Sequence, residues 1–139
     1  MSTQIEPYLF FGGRCDEAIA FYKQALGAEL VMRMSYSESP QPMPPGAIPA
    51  DWSDKVMNAT LRIGSALIMA SDGCEAGTKF EGFSLSLALS SAAEVQRVHA
   101  ALADGGRVSM PAAETFWSPC FGMVVDRFGV SWMVTVATP

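Results

Sequence analysis

The chain has 139 residues and is 50% hydrophobic, with 9 Lys and Arg against 14 Asp and Glu, for a net charge of −5. That length and apolar share suit one compact domain with a substantial core. No stretch concentrates Lys and Arg, which argues against nucleic acid and anionic membrane as partners, since both require dense positive charge.

Ile5–Phe11 is a short apolar run closed by Gly12 and Gly13, the pattern of a strand and a turn. In the following RCDEAIAFYKQALGAEL, Ile19, Tyr22 and Leu26 recur at helical spacing, Asp16 and Glu17 fall in the first turn, and Gly27 supplies the stop. Glu29–Tyr36 reads as a second strand. The next segment, SPQPMPPGAIPADW, holds five of the nine prolines, Pro40, Pro42, Pro44, Pro45 and Pro49. Proline removes a ladder donor, so residues 39–52 are expected to be a long loop rather than sheet.

Two alternating runs, VMNATLRI and ALIMASD, flank Gly64-Ser65 and predict a hairpin. The pattern then restarts. Gly82–Leu89 is a strand, and SSAAEVQRVHAALADGG is a helix with Val95, Val98 and Leu102 on one stripe. Ser91 and Glu94 fit a capping box, and Gly105-Gly106 fit the end. RVSMP is a short strand, AAETFWSP a connection, and FGMVVDRFGVSWMV a hairpin turning at Asp126–Gly129. Strand, helix and three strands thus occur twice, in modules of about 4–72 and 82–137, each expected to be one structural unit. The class is α+β, with helices on one side of mostly antiparallel strands.

Alternation divides the strand faces. Met57, Ala59, Leu61 and Ile63 are expected toward the first helix, leaving Val56, Asn58, Thr60 and Arg62 on the other face. Phe83, Leu85, Leu87 and Leu89 are expected toward the second helix, leaving Gly82, Ser84, Ser86 and Ala88. A second face that is small and polar is either solvated or curved around something, so the two modules are expected to form a cup.

The double βαβββ order resembles the vicinal oxygen chelate superfamily of glyoxalase I, bleomycin-resistance proteins and extradiol dioxygenases. EAIAFYKQALGAEL, LIMASD, ETFW and DRFGVSWMV resemble its PhnB-like branch, often labelled demethylubiquinone methyltransferase-like. The resemblance implies a curved mixed sheet around a cup with helices on its outer face, a homodimer paired through module edges, and in metal-using members an ion held by His or Glu on the first and last strands of each half. Matched residue by residue, those positions fall on Pro7, Met69, Ser84 and Met133. A slip of one residue would bring in Phe83 or Trp132. None is a usual ligand of a divalent metal, so no metal or other cofactor is expected. Relatives often carry His where this chain has Asn58. The methyltransferase label finds no Gly-rich strand-to-helix loop for S-adenosylmethionine, and the element order is wrong for a doubly wound sheet.

The only histidine, His99, lies at the border of the second helix's apolar stripe and is expected to be structural, which removes Ser-His-Asp and Cys-His catalysis. Among the carboxylates Glu6, Asp72, Glu114 and Asp126, the weak candidates for a base are Glu114, in a loop, and Asp126, whose simpler reading is a turn residue. Arg33 and Arg62 are candidate anion handles with exposed edge positions as the plainer alternative. The expected ligand surface is Asn58, Thr60, Met69, Ser84, Phe116, Trp117 and Met133. The function expected is metal-independent binding of a small molecule in the cup. A glyoxalase-type lyase or isomerase is the alternative. No apolar run nears the roughly 18 residues that span a bilayer, and the N-terminal stretch lacks the n- and h-regions of a signal peptide. Cys15, Cys74 and Cys120, odd in number and without CxxC spacing, are expected as reduced thiols of a cytoplasmic protein.

Overall fold

The first module of the computed structural model, which describes residues 2–137, contains β1 (Tyr8–Phe10), α1 (Cys15–Leu26), β2 (Glu29–Ser35), a 3₁₀ turn (Tyr36–Glu38), β3 (Val56–Ile63) and β4 (Ala66–Ser71). The second contains β5 (Leu85–Leu89), α2 (Ala92–Ala103), β6 (Arg107–Ala113), β7 (Phe121–Val125) and β8 (Ser131–Val136). The chain divides into two compact units between Thr78 and Lys79. Each unit has one four-stranded sheet, β1-β4-β3-β2 in the first and β5-β8-β7-β6 in the second. The outer pairs β1–β4 and β5–β8 are parallel and the others antiparallel. The βαβββ repeat and the mixed sheets of the α+β class are therefore present.

The helix ends follow from local chemistry. Gly27 adopts φ +67°, and the amides of Gly27 and Ala28 reach back to the carbonyls of Lys23 and Tyr22. This paired closure needs a left-handed residue, which glycine adopts at no steric cost. Ser91 caps α2 by accepting from the Glu94 amide at 3.2 Å. The reciprocal half of the expected box is replaced, since the Glu94 carboxylate accepts from the Ser90 hydroxyl instead. In α1 the buried stripe is Cys15, Ala18, Ile19, Tyr22 and Ala25, with Leu26 only half-buried. Against it lie Leu9, Ala59, Leu61, Ile68 and Ala70, and the second sheet correspondingly buries Val124, Trp132 and Val134.

Several expected boundaries move. Ile5 is 94% exposed and the first strand is confined to Tyr8–Phe10. Tyr36 leaves β2 because Ser35 and Glu38 bond reciprocally, with the Ser35 amide donating to Glu38 Oε1 at 2.9 Å, and start the 3₁₀ turn. Phe83, expected to face α2, precedes β5, is 44% exposed and meets Phe80 edge-on. The short strand begun by RVSMP continues to Ala113. It tolerates Pro111 because an outer strand has an unpaired side.

Val56 is the clearest correction. Strict alternation puts it with Asn58 and Thr60, yet it is 0% exposed. The β2–β3 register shifts between Met34↔Asn58 and Ser35↔Val56, leaving one extra residue on β3. A bulge of this kind breaks the two-residue period and turns Val56 into the core.

Candidate functional site

Register builds the open face of the first module. Tyr8, Met69, Thr60 and Met32 stand opposite one another across β1, β4, β3 and β2, with Asn58 opposite Met34 beside them. Residues paired across strands share a face and lie side by side. Tyr8 and Phe10 stack with ring centroids 5.0 Å apart and planes 22° apart. The Tyr8 hydroxyl donates to Asn58 Oδ1 at 3.3 Å. Partial burial, with a smaller effect of Cys15, raises the Tyr8 phenol above its ordinary value, so it remains a neutral donor. Asn58, Thr60 and Met69 thus share one sheet face. Tyr8, Phe10, Met32 and Met34 join them and were not anticipated. Tyr8, at 41% exposed, is an aromatic side chain left partly open on this face.

Arg33 is a correction. It pairs with Ala59, so it lies on the α1 side of the sheet. Its guanidinium grips both oxygens of Asp16 at 2.8 Å and the Asp54 carbonyl at 2.9 Å, which occupies the proposed anion handle. The bond from Arg33 is the main reason the Asp16 carboxyl sits below its usual range. Arg62 forms an exposed pair with Glu29 at 3.4 Å, of the kind worth little in water.

The second module has a comparable face. Ser86, Met133, Met123 and Met110 align across β5, β8, β7 and β6. Ser84 and Ser131 share a hydrogen bond at 2.7 Å. Trp117 stands edge-on to Phe121 at 5.4 Å, while Phe116, also edge-on to Trp117, is 98% exposed. Ser84 and Met133 therefore lie on a sheet face, and the two aromatics sit in the loop beside Phe121. Met110, Met123 and Ser86 are additional. Alternation along one strand does not reveal which residue stands opposite, so no sequence signal short of the pairing register would have found these rows.

The carboxylates differ sharply. Glu114 is exposed and makes no hydrogen bond or ion pair among the described residues. Asp126 is buried; one oxygen accepts from the Phe128 and Val130 amides at 2.9 and 3.1 Å, and the other from the Trp132 indole at 2.9 Å. Geometry gives it the role of turn anchor. Asp72 is likewise buried, accepting from the amides of Gly13, Cys15 and Val56, each at 2.8 Å. His99 is buried, with Nε2 at 3.1 and 3.2 Å from the carbonyl oxygens of Met110 and Met123.

The donor set does not suit the metal that the fold's metal-using members hold. Met69 stands opposite Tyr8 and Met133 opposite Ser86. A proline, two thioethers and a hydroxyl at the matched positions offer no imidazole, carboxylate or thiolate. Among the described residues no three His, Cys, Asp or Glu side chains gather into a metal site.

Two βαβββ modules with mixed sheets define a glyoxalase-like α+β protein. The chain belongs to the family described as 3-demethylubiquinone-9 3-methyltransferase, whose profile matches residues 3–135. It is 38% identical to Protein YjdN of Escherichia coli over 138 residues, 95% of this chain and 94% of that protein. It is similar to the crystal structure of PA1353 from Pseudomonas aeruginosa (45% identity, TM-score 0.85, covering 99% and 100% of the two chains). It is also similar to the PhnB protein from Bacillus cereus (27% identity, TM-score 0.78, covering 97% and 100%), in keeping with the PhnB-like motifs. A glyoxalase/bleomycin resistance/dioxygenase domain from Frankia shares the fold at 15% identity and a TM-score of 0.68, over 99% of each chain.

Methyl transfer, which the family description names, needs a methyl donor. Nucleotide-like donors in doubly wound folds rest on the first strand-to-helix turn. Here that turn is filled: the Asp72 carboxylate takes the Gly13 and Cys15 amides. A side chain at Gly12 would meet the Thr78 hydroxyl at 2.8 Å, and one at Gly13 would meet the Trp52 ring at 3.2 Å. The residues at this turn do not fit such a group.

Proposed function

We propose that this protein binds a small uncharged molecule against the open sheet face of its first module, without a metal. The observation that carries the reading is Asn58. Tyr8 engages its amide oxygen, which leaves the amide hydrogens to meet an acceptor on a ligand. Met32, Met34 and Met69 surround it with flexible thioethers that conform to an apolar body. Thr60 adds a hydroxyl, and the Tyr8–Phe10 stack adds a flat apolar wall. The second module's face, with Ser84, Met133, Phe116 and Trp117, is a second surface of the same kind. The reading includes self-pairing through the outermost strands β2 and β6, which carry the exposed Val31 and Val108. It also includes a cytoplasmic location, supported by three unpaired cysteines. Among the described residues no helix is long and apolar enough to cross a membrane.

Nile red, an uncharged dye with one carbonyl acceptor, is a direct probe. Saturable fluorescence enhancement is expected, unchanged after dialysis against EDTA. Asn58→Leu should weaken it about tenfold, roughly 1.4 kcal/mol. Stoichiometric Ni, Zn, Fe or Mn in the purified protein, lost together with dye binding on chelation, would overturn the reading; so would equal binding by Asn58→Leu.

A further inference from the structure

The proline-rich segment frames an open cleft. Its two ends are tied together, since the Ser37 amide donates to the Ser53 carbonyl at 2.9 Å and the Tyr36 amide to the Lys55 carbonyl at 3.2 Å. This closure makes the intervening residues an Ω-loop, a type packed by its own side chains and often functional. Two internal turns stiffen it, with the Ala47 amide on the Pro44 carbonyl and the Trp52 amide on the Pro49 carbonyl. Two buried aromatics pin it to the module. The Trp52 ring lies against Gly13, where a Cβ would come within 3.2 Å, and the Tyr36 hydroxyl donates to the Gly73 carbonyl.

The loop frames an open cleft of about 560 Å³, with buried Tyr36 and half-buried Met43, Ile48 and Pro49 in its lining and exposed Ser37, Pro42 and Ser53 beside them. That volume lies within the roughly 300–1,000 Å³ of small-molecule sites. No Asp, Glu, Lys or Arg lines it, and it shares no lining residue with the Tyr8–Asn58 face. A charged ligand would find no lining side chain of opposite charge, whereas an apolar one can cover Met43, Ile48 and the prolines, which favours an uncharged compound. Proline fixes φ, so the walls are held before a ligand arrives and less ordering is required on binding. The Ser39 hydroxyl is engaged at Gln41 and that of Ser37 at Ser35. The Ser53 hydroxyl has no side-chain partner among the described residues and can meet one polar group of a ligand.

We propose that this loop cleft is a second small-molecule site, taking an uncharged, mostly apolar compound with a single hydroxyl or carbonyl. Amide chemical-shift titration of the full chain with 2-naphthol and with 2-naphthoate tests it. 2-Naphthol should shift the amides of Ser37, Met43, Ile48 and Ser53 saturably, and 2-naphthoate should bind at least about tenfold more weakly. Ile48→Asp should abolish the 2-naphthol shifts in the loop, whereas Asn58→Leu should leave them unchanged. Met43→Glu, at a position near the loop surface, gives the same reading if Ile48→Asp fails to fold. Equal affinity for the two compounds, absence of loop shifts, or loss of the shifts in Asn58→Leu would overturn the proposal. The last outcome would assign the binding to the sheet face alone.

Discussion

Asp126 and Asp72 are carboxylates whose oxygens are all engaged by donors of their own module. The Asp126 carboxylate fixes the β7–β8 turn through two amides and locks the Trp132 indole beneath α2. Hydrogen bonds to a charged group contribute about 1.5–3 kcal/mol, and an opposed donor left in the core adds a penalty. Asp126→Asn puts an NH₂ group against one of these donors, so urea denaturation is expected to show a loss of about 2 kcal/mol while Nile red affinity stays unchanged. A variant of normal stability but altered chemistry would return Asp126 to the role of base. The turn was legible in the sequence because Asp and Gly bracket it. That both oxygens are used was not, because the indole approaches from another strand.

At the scale of elements, α2 approaches its sheet tightly at Gly122. A Cβ there would lie 2.7 Å from His99 Cδ2 and 3.0 Å from the Ala112 Cα. His99 uses this gap to reach the Met110 and Met123 carbonyls where the β6–β7 register shifts between Val108 and Met110. One histidine thus pins the bulge that sets Met110 opposite Met123. Gly122→Ala overpacks this contact and is expected to cost about 1–3 kcal/mol. Hydrogen exchange should quicken in α2, β6 and β7 and not in the first module. Helix, caps and hairpins were readable, because Ser91, Gly27 and Gly64-Ser65 act locally. The bulges at Val56 and Met110 were not, because each depends on the partner strand.

Across the whole molecule, the cysteines report on packing. Cys15 and Cys120 are buried and Cys74 is exposed. Burial first, then the neighbouring Asp72, pushes the Cys15 thiol far above its ordinary value, so it stays protonated and unreactive at neutral pH. Iodoacetamide at pH 8 should label Cys74 alone in the folded protein and all three in denaturant, as counted by intact mass. Rapid labelling of Cys15 in native buffer would contradict the tight seat of α1 on Asp72.

The sequence by itself determined the order of elements and their duplication. These follow from local periodicity, turn chemistry and side-chain type. Only the tertiary structure decided that Arg33 belongs to Asp16, that Val56 is core, that Tyr8 holds Asn58, and that the prolines line a cleft. Each of these depends on which distant residue stands opposite. Strand register and loop closure are set by contacts many residues apart, which a two-residue alternation cannot encode.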